Sequence, residues 1–64
     1  MNDAECRKAL AETQGAYEEY KGLGPKAQLA FAEIMKLAEM RCGEGEYEKA
    51  DQLLTIARSM VATD

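Results

Sequence analysis

Apolar residues recur along this chain at alternating steps of three and four, the spacing that places side chains on one face of an α-helix. Near the N-terminus the series consists of Cys6, Leu10, Thr13, Tyr17 and Tyr20. Near the C-terminus it consists of Tyr47, Ala50, Leu54, Ala57 and Val61. Between them, ten of the fourteen residues in 27–40 are apolar, which is too many for a helix with one packed face. The pattern predicts three helices, of which the second is central.

Glycines mark the two breaks between these helices. Gly22 lies where the first helix can end in a left-handed residue, and Pro25 suits the first turn of the next helix. Gly43 and Gly45 surround the second break. Short linkers favour antiparallel neighbours, so the expected fold is an all-α, antiparallel three-helix bundle in one domain, residues 1–64. The predicted helices span about 3–21, 25–42 and 46–62.

Composition removes several classes of function. The chain has no histidine, the commonest general base and a frequent metal ligand. Eight basic residues are scattered among twelve acidic ones, for a net charge of −4, so no positive patch for phosphate groups is expected. No apolar run approaches the roughly 18 residues of a membrane span. We therefore predict a soluble cytoplasmic protein, not an enzyme, that needs no cofactor or metal and contacts neither nucleic acid nor membrane directly.

The two cysteines are candidates for a disulfide. An antiparallel hairpin brings Cys6 and Cys42 to similar heights, and a bond is feasible if their Cα atoms lie within roughly 7 Å. Free buried cysteine is the commoner state in a cytoplasmic chain, so we expect two thiols in the core. Catalysis by either thiol would lack an activating histidine.

Acidic residues surround the second break. Their carboxylates could supply oxygen ligands to a hard cation, but their spacing fits no EF-hand loop. The residues of this acidic cluster are Glu44, Glu46, Glu48 and Asp51. The first of them also suit the positive end of the third helix, so we expect solvated acidic residues that cap this helix.

The second hairpin carries a partial repeat pattern, with apolar residues at Ile34, Leu37, Ala38, Ala50, Leu54 and Ala57. With these offsets, residues 34–62 resemble a tetratricopeptide repeat. The chain has Ile34, Ala38, Arg41 and Ala62 where that pattern has tryptophan, glycine, tyrosine and proline. A repeat array needs at least about three stacked units, and this chain has room for one hairpin and a further helix. The resemblance implies peptide or protein binding, without catalysis.

Some large apolar residues lie off the main apolar arcs. On a helical wheel, Leu29 and Met40 fall nearly opposite the arc of the second helix. Either the flanking helices cover them, or they form an exposed strip rimmed by charge, which would mark a protein-interaction surface. We adopt the second interpretation as our site hypothesis. The candidate interface residues are Leu29, Glu33, Met35, Met40, Ile56 and Met60.

Two functions compete on this evidence. The preferred hypothesis is a small helical interaction module or adaptor that binds another protein or a second copy of itself, in the latter case as a homodimer. The alternative is a small acidic inhibitor, of the type that phages and mobile elements encode, which blocks a basic nucleic-acid-binding surface. Twelve acidic residues permit this alternative, but the eight interspersed bases make a poor mimic of phosphate charge. Salt would weaken electrostatic mimicry steeply and an apolar interface little.

Overall fold

Three α-helices in antiparallel order form the bundle in the computed structural model, which describes residues 1–62. Helix α1 spans Asp3–Glu19, α2 spans Pro25–Gly43 and α3 spans Tyr47–Val61. Every helix packs against the other two, with the largest interface between α2 and α3 and the smallest between α1 and α2. The predicted fold class is confirmed. The apolar content of α2 predicts a central helix, but α2 leaves one face uncovered, as the exposed-strip interpretation predicts.

Local sequence explains how the helices begin and turn. The Asn2 side chain accepts a hydrogen bond from the Glu5 N–H at 2.9 Å, and the Glu5 carboxylate accepts one from the Asn2 N–H at 3.1 Å. This reciprocal capping box satisfies donors that a helix start leaves unpaired. Pro25 occupies the first turn of α2. In the α2–α3 turn, Gly45 has a φ of 77°, a conformation that side chains with a Cβ adopt at a cost.

The end of α1 differs from the prediction. The helix stops at Glu19, and the φ of Gly22 is not in the left-handed region. Tyr20 instead leaves the helix in an extended conformation, and its ring lies against Gly22. A Cβ on Gly22 would come within 2.6 to 2.9 Å of the Tyr20 ring and hydroxyl. Gly22 therefore leaves space beside the ring, which would have to shift to admit a Cβ, and it makes no left-handed turn.

The core consists of three layers along the bundle axis. The layer that we call the cysteine end contains Cys6, Cys42 and Ala50. The middle layer contains Ala9, Ala38 and Leu54. The layer that we call the aromatic end contains Phe31, Ala57 and Val61, with Tyr17, Tyr20 and Leu23 packed against it. In that last layer the Tyr17 and Phe31 rings stack with their centroids 4.3 Å apart.

Cys6 and Cys42 form a disulfide, with their Cα atoms 5.9 Å apart. The expectation of two free thiols is therefore wrong, although the predicted geometry, in which the antiparallel hairpin brings both cysteines to the same level, is correct. That expectation rested on the reducing conditions of the cytoplasm and not on any steric obstacle. The bond joins α1 to α2 across the smallest of the three helix interfaces.

Thr13 is the buried polar residue of the core among those described. Its hydroxyl donates a hydrogen bond to the Ala9 carbonyl at 2.8 Å and accepts one from Arg58 Nε at 3.3 Å. Both the donor and the acceptor capacity of the hydroxyl are thereby used, which removes the cost of burying it. This hydrogen bond also shows that the edge of α3 that carries Arg58 faces α1.

Candidate protein interface

One face of α2 points away from both neighbouring helices. On it, Leu29 is 71% exposed and Met40 is 49% exposed. Glu33 and Lys36 are also exposed and lie between them on the same face. We call these four residues the α2 outer face. The opposite side of the helix carries the buried residues Phe31, Ala38 and Cys42.

The positions of the other helices define the edges of this face. A shallow groove between α1 and α2 is lined by Leu10 from α1 and by Met35, Lys36 and Glu39 from α2, so Lys36 is the residue of the α2 outer face that borders α1. Helix α1 therefore lies along the Met35 edge of α2. At 100° per residue, Leu37 lies on the opposite edge, which borders α3. Leu37 is 40% exposed, so it extends the apolar surface toward α3.

Helix α3 contributes Ile56, which is 50% exposed. It shares one helical stripe with Leu53 and Met60, whose side chains pack against core layers that contain α2 residues. Arg58 of α3 hydrogen-bonds to Thr13 of α1, so the edge of α3 that carries Arg58 faces α1. The stripe that contains Ile56 lies on the other edge of α3, which borders α2. The antiparallel register, in which Ala38 and Leu54 share a layer, brings Ile56 close to the level of Leu37. We call the α2 outer face together with Leu37 and Ile56 the contact surface.

The structure divides the predicted interface residues into two groups. Those exposed to solvent are Leu29, Glu33, Met40 and Ile56. Met35 and Met60 are only half-buried, but their side chains pack against the core: Met35 against the middle layer and the aromatic end, and Met60 against the aromatic end. Sequence reasoning missed Leu37 because it lies within the apolar arc of α2, and its exposure depends on how closely α3 approaches. A role in binding stays a prediction for all of them.

Two of the four acidic residues near the α2–α3 turn contact neighbouring bases. The expected capping role is wrong for Glu46, which is the N-cap of α3 but makes no side-chain capping hydrogen bond. Glu44 Oε1 lies 2.8 Å from Arg41 Nη1, and Glu46 Oε2 lies 3.0 Å from Lys49 Nζ. The hydrogen bond and positive charge of Lys49 hold the pKa of the Glu46 carboxyl below its ordinary value of 4.5. In residues 1–62 no group of three or more histidine, cysteine or acidic side chains is arranged to hold a metal ion. These contacts indicate ion pairs at a helix junction.

Comparison with known proteins identifies no relative of this chain. No family model matches it, no curated protein is significantly similar, and no solved structure is significantly similar. The resemblance of residues 34–62 to a tetratricopeptide repeat therefore stays a prediction. None of the helices in the described part of the chain has the length and apolar character needed to cross a membrane.

Proposed function

We propose that this chain is a small, non-enzymatic helical module that binds another protein, or a second copy of itself, through the contact surface. The observation that carries the proposal is the exposure of Leu29 and Met40 on a face that neither neighbouring helix covers. Burying a side chain of this size against a partner stabilises a complex by up to roughly 1.5–3 kcal/mol. Together with Leu37 and Ile56 they place four large exposed apolar side chains on one side of the molecule, and exposed apolar surface concentrated in this way marks interaction sites.

The arrangement of charge supports binding of a specific partner. Glu33 and Lys36 interrupt the apolar residues of the α2 outer face, so this face cannot associate indiscriminately with apolar surfaces. A partner has to offer groups that pair with both charges while it covers the apolar side chains. Leu37 and Ile56 widen the surface across the α2–α3 groove, which gives a partner two helices to contact.

Site-specific photo-crosslinking tests this proposal. A photoreactive phenylalanine derivative replaces Ala32, an exposed residue beside the α2 outer face, and in a matched control it replaces Ala4, an exposed residue of α1. A third variant combines the crosslinker at Ala32 with Leu29→Gln and Met40→Gln. All three variants are irradiated in extracts of source cells, at low and high salt, and the adducts are identified by mass spectrometry. Circular dichroism is used to check that all three variants retain the helicity of the wild type.

The proposal predicts adducts from position 32 that are absent from position 4 and that disappear with Leu29→Gln and Met40→Gln. Such adducts should persist at high salt, because burial of apolar surface depends little on screening. Equal adduct yields from both positions would contradict it. Adducts that ignore the two substitutions and vanish at high salt would also contradict it and would favour the acidic-inhibitor alternative.

The disulfide bears on the compartment in which the protein acts. Disulfides persist mainly in oxidising compartments, whereas the sequence alone predicts the cytoplasm. A cytoplasmic protein could retain the Cys6–Cys42 bond because both sulfurs are buried, which denies reductants access. We keep the cytoplasm as the proposed compartment, with burial of the sulfurs as the feature that would let the bond persist there. Cell fractionation with thiol alkylation in intact cells tests it, and recovery of the chain in an exported fraction would contradict it.

A further inference from the structure

The α2 outer face has the spacing of a helix-pairing seam. Its residues follow one another at steps of four, three and four, which is the a/d pattern by which two helices pack side by side. The outer positions of this seam, Leu29 and Met40, are apolar. The inner positions, Glu33 and Lys36, carry opposite charges. The seam extends for about 16 Å along the helix axis.

Any helix that covers both ends of the seam also covers its charged centre. Removing a carboxylate or ammonium group from water is costly unless an opposite charge meets it. A partner that presents a base to Glu33 and an acid to Lys36, in that order along the seam and between two apolar residues, avoids this cost. The same chain in antiparallel orientation is such a partner, because its own sequence has acid and base at these positions.

We propose that the contact surface binds a second copy of this chain, with the two α2 helices antiparallel about a two-fold axis between Ile34 and Met35. This inference rests on the proposed function and specifies the partner. The axis places Glu33 opposite Lys36 of the second copy, twice per dimer, and Leu29 opposite Met40, also twice. A two-fold interface requires a self-complementary surface, and this seam has one. A parallel arrangement would instead place Glu33 against Glu33 and Lys36 against Lys36.

The two-fold axis also explains the exposed residues beside the seam. An antiparallel pair brings the same edge of each helix together, so the Leu37 edges of both copies meet. Ile56 lies beside this edge on α3 and would be covered at the same time. The dimer would therefore bury four large exposed apolar residues from each chain: Leu29, Leu37, Met40 and Ile56.

Charge reversal tests this register. Glu33→Lys and Lys36→Glu are made singly, and each places like charges opposite one another twice in its homodimer. When the two variants are mixed, every pair at these positions again joins an acid to a base. Both variants keep a net negative charge, because each reversal changes the net charge of −4 by only two. Attraction between oppositely charged proteins therefore cannot account for a mixed dimer. Both sites are exposed, so each variant should retain the fold, and circular dichroism checks this.

Sedimentation equilibrium is measured on oxidised protein from about 1 μM to 1 mM, on wild type, each variant and the equimolar mixture. The expected result is a wild-type dimer, at least about 100-fold weaker dimerisation of each variant alone, and recovery of the dimer in the mixture. A monomeric wild type throughout this range would overturn the self-pairing, while adducts of another protein at Ala32 would leave the proposed function standing. A wild-type dimer that the single reversals do not weaken, or that the mixture does not restore, would overturn this register.

Discussion

Removal of the Cys6–Cys42 bond is the perturbation whose effect the structure predicts most directly. The bond closes a loop with a sequence separation of 36 residues. The entropy that such a loop removes from the unfolded chain corresponds to about 4 kcal/mol of stability at 25 °C. A domain of this size has about 3–10 kcal/mol in total. The reduced protein should therefore be marginally folded. Without the bond, α1 should be held less firmly to α2 than α3 is, because the interface between α1 and α2 is the smallest of the three.

Urea and thermal unfolding, followed by far-UV circular dichroism, measure this effect. Both sulfurs are buried, so the protein is reduced in denaturant and refolded with reductant present. We expect the midpoint temperature to fall by roughly 15–30 °C. A Cys6→Ala/Cys42→Ala variant controls for the reductant and should lie within about 1 kcal/mol of the reduced wild type, apart from the small cavity it creates. Identical unfolding curves for oxidised and reduced protein would refute the loop-entropy reasoning.

Three further substitutions test local features of the fold. Gly15→Ala should raise the free energy of unfolding by about 0.5–1 kcal/mol, because a Cβ at this helical site meets no atom within 4 Å. Gly45→Ala should lower it by about 1 kcal/mol although space is equally free, because its φ is 77°. Urea unfolding of both variants checks these opposite signs, and a change of the same sign in both would contradict the argument. The lowered pKa of Glu46 predicts a contribution to stability that is present above the ordinary carboxyl pKa and lost as pH falls through the lowered value. Glu46→Gln should lack that contribution, so unfolding measured across this acidic range should show a weaker pH dependence than in wild type, and superimposable profiles would count against it.

The fold could be predicted from the sequence because its main determinants are local. Apolar residues at steps of three and four, with glycine and proline between the three series, were enough to indicate three antiparallel helices. The end of α1 could not be predicted, because it depends on where the Tyr20 ring lies after the chain has folded. A glycine that ends a helix and a glycine that makes room for a ring look the same in the sequence.

The candidate site could be predicted in part. The helical wheel separated Leu29 and Met40 from the buried arc of α2, and both are exposed. It could not show that Leu37 is partly exposed, or that Met35 packs into the core beside α1, because those outcomes depend on the edge of α2 that each neighbour occupies. The state of the cysteines depends on redox conditions as well as on geometry, and the sequence carries information only about geometry.

The two ends of the bundle are held together by different interactions, so local opening should begin at one end and not at both. A covalent bond holds α1 and α2 together at the cysteine end, whereas stacking of Tyr17 on Phe31 and packing of Tyr20 hold the aromatic end. Fluctuations that separate the helices should therefore begin at the aromatic end, and amide hydrogens there should exchange faster. The chain has no tryptophan, so its near-ultraviolet signal comes mainly from three tyrosines, of which Tyr17 and Tyr20 lie at the end that opens first and Tyr47 lies at the other. Tyrosine spectroscopy should consequently detect partial opening of this protein before its helical content changes.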